Sequence, residues 1–313
     1  AVEKRAEKLG EIAYRKQTRP MNDAEMVSAL NDFDIILPTL GDLFSEIIFT
    51  QVRDPRCKLL ANFGVGYNHI DVSAARAKGL SVTNTPGAVT DATADIAMTL
   101  MLMTARRAGE GERLLRSGKW EGWHPTQMLG LHLSGKTVGI IGMGRIGIAV
   151  AKRLSVLGIN INYHNRTKLK SNNEKILKAK YWDSLDKMIG EMDIVSIHCP
   201  YTPETFHLLS KNKIKLLKKN CIVINTSRGE IIDEEALAEA LLKKRIGGAG
   251  LDVFEHEPQI TQKLFEAENV VLLPHISSAT KESRVAMGDR VFKNIDYFLQ
   301  GKKPPDLVKK KND

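Results

Sequence analysis

One segment limits this chain more than any other. Thr137-Val-Gly-Ile-Ile141 runs into Gly142-Met-Gly144-Arg145-Ile146-Gly147 and then into Ile148-Ala-Val-Ala-Lys-Arg-Leu154. A β-branched run that turns through three glycines into a helical pattern opens a βαβ unit. Gly142 permits the tight turn, Gly144 lets the backbone approach a pyrophosphate, and Gly147 lets helix and strand pack closely. The start of the following helix, with Arg145 and Ile146, offers N–H groups to that anion.

The rest of the chain keeps the same rhythm. Short β-branched runs recur at Phe33–Leu37, Lys58–Phe63, Leu80–Asn84, Asn160–Tyr163, Asp193–Ile197, Cys221–Asn225, Gly247–Leu251 and Asn269–Leu273. Between them Ile70–Ala77, Thr90–Ala108, Ile146–Leu157, Lys211–Lys218 and Glu234–Lys244 place apolar residues three and four apart, the spacing of a helix with one buried face. Strands alternating with helices predict parallel sheets in a doubly wound α/β fold. Thr90–Ala108, with Met98, Met101 and Met103, reads as core packing. The polar stretch from Gly109 to Gly135, with Trp120, Trp123 and Pro125, reads as a contact arm. The N-terminal segment shows a charged helical pattern where a βαβ layout would open with a strand, and truncation of that strand is the expectation.

At 313 residues, with 42% hydrophobic and 27% charged, the composition is that of a globular chain of about two domains and excludes disorder, collagen and coiled coil. Cys57, Cys199 and Cys221 are too few and too scattered for a disulfide framework or a metal pair, so a reducing, cytoplasmic setting and no metal are expected. Apolar stretches such as Ile96–Ala105 fall short of the roughly 20 residues that span a bilayer, so no membrane partner is expected. The surplus of 46 Lys and Arg over 37 Asp and Glu gives +9, a field that favours anionic ligands without specifying nucleic acid, which is not expected as a partner. Part of it lies in Lys302, Lys303, Lys309, Lys310 and Lys311, a run that reads as a solvated tail.

Three successive strand runs end in polar groups. Asn225-Thr-Ser-Arg228-Gly229 follows one, Leu251-Asp252-Val-Phe-Glu255-His256-Glu257-Pro258 the next, and Leu273-Pro274-His275-Ile-Ser-Ser-Ala-Thr280 the last. In open α/β sheets that edge binds ligands. Hydride addition to a carbonyl places negative charge on oxygen, and a histidine is the side chain best suited to protonate it near neutral pH. His275 is the candidate donor, a carboxylate at Glu257 or Glu255 its partner, and Arg228 the fork that clamps a substrate carboxylate and polarises the keto oxygen. Asn62-Phe-Gly64-Val65-Gly66 is a second glycine turn after a strand, where the N–H groups of Val65 and Gly66 could bind a carboxylate.

About twenty residues beyond the glycine turn, an NAD enzyme carries an acidic residue for the ribose hydroxyls. Here the position reads Tyr163-His164-Asn165-Arg166-Thr167-Lys168. Without a carboxylate, and with Arg166 and Lys168 as two cations for a 2′-phosphate, it predicts NADP(H) ahead of NAD(H).

Seven ordered motifs name a family. To those above are added Thr83-Asn-Thr-Pro-Gly87 and Cys199-Pro-Tyr-Thr-Pro-Glu-Thr205. Over nearly its whole length the chain resembles the D-2-hydroxyacid dehydrogenases, specifically the glyoxylate/hydroxypyruvate reductase branch. The resemblance implies two Rossmann-like domains with a cleft between them: a discontinuous substrate domain, 1–91 plus 276–313, and a cofactor domain, 92–275. It implies the triad Arg228, Glu257 and His275, preferring Glu257 over Glu255, with Val65 and Gly66 on the substrate. It further implies cofactor contacts from Thr93, Cys199, Thr226, Asp252 and Ser278, Asp252 at the nicotinamide carboxamide, and a homodimer through the cofactor domain. The expected reaction is NADPH-dependent reduction of glyoxylate or hydroxypyruvate. A 2-ketogluconate reductase is the nearest alternative, and a dinucleotide-sensing corepressor module the alternative of another class.

Overall fold

The structure is a computed structural model and describes residues 6–309. Glu3, Lys4 and Arg5, and Lys310 and Lys311 of the C-terminal lysine run, lie outside the described residues. The chain divides into two compact units, Ala1–Val89 with Ala279–Asp313, and Thr90–Ser278.

In the first unit β1 (Ile35–Ile36), β2 (Leu59–Ala61) and β3 (Ser81–Thr83) form a parallel sheet in that order. Side chains alternate along a strand, so β2 serves two cores. Leu60 packs with Met26, Leu30 and Phe44 on one face. Leu59 and Ala61 pack with Val291, Phe292 and Ile295 on the other. The helices supplying those faces are capped by sequence: Asn22 and Glu25 form a capping box at Asp23–Asp32, and Thr280 accepts from the N–H of Ser283 at Lys281–Leu299.

The second unit holds β4 (Thr137–Ile141), β5 (Asn160–His164), β6 (Lys180–Tyr181), β7 (Ile194–Ile197), β8 (Ile222–Asn225), β9 (Gly248–Leu251) and β10 (Val270–Leu272). All are parallel, in the order β10-β9-β8-β7-β4-β5-β6. The order reverses between β4 and β7, paired through Val138 and Ile194, which makes this the switch point of a doubly wound sheet. Both faces are covered. Val138, Ile140 and Ile224 pack against Leu100 and Met101 of the helix Thr90–Ala105, with Met98 and Met103 at the margin of that core. Ile141, Val195, Ile197 and Val223 face the opposite cluster with Leu237 and Leu241.

Several local expectations need correction. The predicted helix Thr90–Ala108 ends at Ala105, because Arg107 adopts φ 52 and its guanidinium forks onto Glu110 at 2.7 and 2.8 Å. A new helix, Ala108–Arg116, then occupies the first part of the segment expected to be irregular. Lys211–Lys218 is helical only over Lys211–Ile214. Strand β6 escaped notice because Lys180–Tyr181 is too short to show a period. The unit boundaries also differ from 91/92 and 275/276. The helix from Thr90 belongs whole to the second unit, and Ile276 and Ser277 are tied to that unit by the carboxylate of Asp252.

Candidate active site

The glycine turn leaves β4 with Gly142 at φ 95, a conformation that disfavours any side chain. A Cβ there would also lie 2.4 Å from the amide N of Cys199 at the end of β7, and one at Gly147 would lie 2.4 Å from the carbonyl of Gly142. These two glycines therefore let strand, turn and helix close on one another. Gly144 differs: a Cβ would meet no protein atom within 4 Å, which leaves the backbone open to close approach. The helix Arg145–Val156 begins directly behind it, with Arg145 exposed. Its first N–H groups face the turn without a side-chain cap.

After β5, the Asn165 side chain accepts the N–H of Met143 at 2.7 Å and so belongs to the turn itself. Arg166 and Thr167 are exposed beside it. The two expected cations are placed differently. Lys168 lies 3.5 Å from Glu174 and over the ring of Tyr181, whereas Arg166 has no ion pair among the described residues.

Cys199 follows β7 and is half-buried; burial pushes its thiol up to about 11, and its carbonyl accepts the hydroxyl of Ser227. Thr93 is buried in the first turn of the helix Thr90–Ala105. Thr226, just beyond β8, is buried with a hydroxyl oxygen that has no hydrogen-bond partner. A buried unpartnered hydroxyl at the ligand edge of such a sheet, beside a turn with room at Gly144, fits a polar ligand lying along that edge.

Three loops then converge. Beyond β8, the Asn225 amide donates to the Arg228 carbonyl at 2.8 Å and accepts the Ser227 N–H at 3.0 Å, fixing the turn that carries Arg228. Gly229 allows that turn to touch the next one: a Cβ would lie 1.8 Å from the carbonyl carbon of Phe254. Arg228 donates to the Ser227 carbonyl at 2.6 Å. Burial pulls its pKa down while Glu230 and Glu257 pull it back, and a guanidinium stays charged under such opposing pulls.

Beyond β9, Glu257 turns back so that Oε1 accepts the N–H of Phe254 at 3.0 Å and Oε2 meets Nδ1 of His275 at 2.8 Å. Burial raises its pKa, but the hydrogen bond and charge of His275, the Phe254 N–H and Arg228 outweigh it and hold the carboxyl below its ordinary value. Glu255, the rival partner, is engaged elsewhere: Oε1 lies 2.7 Å from Nε2 of His207, and Oε2 accepts from Glu234 N–H.

His275 sits three residues past β10 at φ 52, an uncommon backbone for a side chain of this size. The strain is held from β9. Asp252, fully buried, accepts the N–H groups of Ile276 and Ser277 at 2.8 Å each and so pins the loop immediately after the histidine. Burial raises the Asp252 pKa despite those bonds. Asp252, which the resemblance places at the nicotinamide carboxamide, anchors the His275 loop, and Ser278 is the last residue of the same pinned segment.

In the first unit, Asn62 donates to the carbonyls of Gly64 at 3.1 Å and Gly66 at 2.9 Å, while Asn84 donates to that of Val65 at 2.8 Å. The N–H groups of Val65 and Gly66 have no partner among the described residues.

The model of the D-isomer specific 2-hydroxyacid dehydrogenase NAD-binding domain matches residues 98–277. A glyoxylate reductase of Thermococcus litoralis is 43% identical over 98% of this chain and 93% of its own. The chain belongs to the D-isomer specific 2-hydroxyacid dehydrogenases. It is accordingly an NAD(P)-dependent dehydrogenase, and the glycine turn lies within the matched NAD-binding domain. Among solved structures, a D-isomer specific 2-hydroxyacid dehydrogenase of a Polaromonas species has 38% identity and a TM-score of 0.90, covering 98% of this chain and 96% of that one. An NADPH-dependent glyoxylate/hydroxypyruvate reductase of Sinorhizobium meliloti, in complex with NADP and malonate, has 35% identity and a TM-score of 0.86, covering 98% and 92%. No helix among the described residues of this dehydrogenase is long and apolar enough to cross a membrane.

Proposed function

We propose that this dehydrogenase reduces glyoxylate or hydroxypyruvate to the 2-hydroxy acid with NADPH, His275 giving the proton. The reading is carried by the 2.8 Å contact between His275 Nδ1 and Glu257 Oε2 beside the half-buried guanidinium of Arg228. Glyoxylate and hydroxypyruvate come from the names of relatives in Thermococcus litoralis and Sinorhizobium meliloti.

The cofactor supplies the hydride when bound. The residues fitted to hold it are the turn Gly142–Gly147 for the pyrophosphate, Asn165, Arg166 and Thr167 at the adenosine end, and Thr93, Cys199, Thr226 and Ser278 along the sheet edge. The protein's own groups do the rest. An ionised Glu257 can only accept, so His275 donates through Nδ1 and holds its mobile proton on Nε2. That proton passes to the keto oxygen as the carbonyl carbon gains hydride, giving a hydroxyl. Arg228 binds the substrate carboxylate and stabilises charge on the reacting oxygen. The N–H groups of Val65 and Gly66, in the first unit, are assigned to a substrate carboxylate.

We assign the exposed Leu115, Trp120, Trp123 and Leu129 to a homodimer contact. The three free cysteines suit a cytoplasmic location. The test is a set of initial rates with glyoxylate, hydroxypyruvate, pyruvate and 2-ketogluconate, each with NADPH and NADH. Highest efficiency with one of the first two substrates and NADPH is expected. Preference for 2-ketogluconate or NADH removes the corresponding part of the reading, and no turnover of any substrate favours a sensing role.

A further inference from the structure

The loop that follows β5 is secured at both ends and free only at its apex. At its start, Asn165 accepts the N–H of Met143 through its side chain at 2.7 Å and the Tyr181 hydroxyl through its carbonyl at 3.3 Å. At its end, the N–H of Leu169 donates to the hydroxyl of Tyr163 at 3.0 Å, and that hydroxyl donates to Oε1 of Glu174 at 2.5 Å. Glu174 also holds Lys168 through Oε2 at 3.5 Å. Arg166 and Thr167, between these ties, are exposed.

Tyr163 is an unusual tether. It lies within β5, is fully buried and packs on Tyr181 with ring centroids 5.3 Å apart. Burial, and then the Glu174 carboxylate, push its phenol up to about 12, so it remains a donor at any working pH. Removing the hydroxyl would strand two groups, the N–H of Leu169 and a half-buried oxygen of Glu174, while leaving the aromatic core in place. The backbone at Leu169 would then lose its tie to the sheet.

We infer that the Tyr163–Glu174 pair positions Arg166 to read the 2′ end of the adenosine, so that both residues set cofactor preference without touching the cofactor. The inference rests on the NADP(H) reading above. An exposed arginine on a slack loop pays ordering entropy on each binding event, whereas one on a tethered loop does not. The tether therefore acts on NADPH and leaves NADH nearly untouched, because NADH lacks the phosphate that Arg166 would meet.

The readout is the ratio of kcat/KM with NADPH to that with NADH, measured on the intact protein. Tyr163→Phe is expected to lower the ratio about fivefold, the worth of one hydrogen bond, through KM for NADPH, with kcat and KM for the keto acid unchanged. Glu174→Ala should follow it. Glu174→Gln keeps an acceptor for the phenol and removes the charge holding Lys168, so it should keep or raise the ratio. Equal losses with both cofactors, or no change in Tyr163→Phe and Glu174→Ala while wild type prefers NADPH, overturn the anchor alone. A wild-type preference for NADH overturns the NADP(H) reading, and the anchor with it.

Discussion

Glu257 holds His275 with one oxygen and its own backbone turn with the other: Oε2 lies 2.8 Å from Nδ1 of the imidazole, and Oε1 lies 3.0 Å from the N–H of Phe254. The carboxylate is therefore fixed before it fixes the histidine. Glu257→Gln keeps the shape and removes the charge, so kcat for keto-acid reduction should fall about tenfold or more with KM for the cofactor unchanged. The pH sign follows from the lowered pKa of Glu257. The ion pair stabilises the fold above the ordinary carboxylate range and is lost as pH falls through the lowered native value. Tm of wild type should exceed that of Glu257→Gln at neutral pH, and the two should converge as pH falls through the lowered native value. A gap that widens in acid contradicts the assignment.

Gly229 sets the distance between the turn of Arg228 and the turn of Glu257. A Cβ 1.8 Å from the Phe254 carbonyl carbon cannot be absorbed by a side-chain movement, because the obstacle is backbone. Gly229→Ala should lower Tm and reduce kcat/KM together, whereas Gly144→Ala, which meets no protein atom, should leave Tm unchanged and raise KM for the cofactor. Thermal melts beside initial rates separate the two.

Arg166 is exposed without an ion pair, while its neighbour Lys168 is held by Glu174. Arg166→Ala should therefore reduce kcat/KM with NADPH by about tenfold or more and leave NADH nearly unchanged. Lys168→Ala should have the smaller effect. The reverse order would return the 2′-phosphate to Lys168.

The sequence was most readable where a physical demand repeats. Strand β4 was located to the residue, because Thr137–Ile141 is bounded by glycines that geometry makes obligatory. The alternation of Leu59, Leu60 and Ala61 between two cores explains why Lys58–Phe63 read as a buried strand. Pairing between distant residues was less readable. Nothing in the local pattern separates Glu255 from Glu257; their partners, His207 and His275, are set by how the loops fold back. The neighbour of Lys168, Glu174, and the N–H groups that Asp252 holds were not legible, because each is reached only through the tertiary fold.

His198, which the sequence left as a structural or surface residue, adds an acid-sensitive element. Burial pushes its pKa down to about 4, and Nε2 lies 2.8 Å from the Ser196 hydroxyl. The unfolded chain takes up the proton near pH 6.5 and the native state resists, so stability falls as pH drops between those values. Because the residue is only half-buried, solvent moderates the loss to about 1–2 kcal/mol between pH 7 and pH 5. His198→Gln should remove that part of the loss in urea melts. An unchanged slope against pH would place the sensitivity elsewhere.

The central assignment is the proton held on His275, and the measurement closest to it is the single-turnover rate of NADPH oxidation by His275→Ala with glyoxylate, taken beside the Kd of the same variant for NADPH. The account predicts a rate lower by about 10² or more with Kd unchanged. A variant that oxidises NADPH at the wild-type rate would contradict it and move the proton donor to another group.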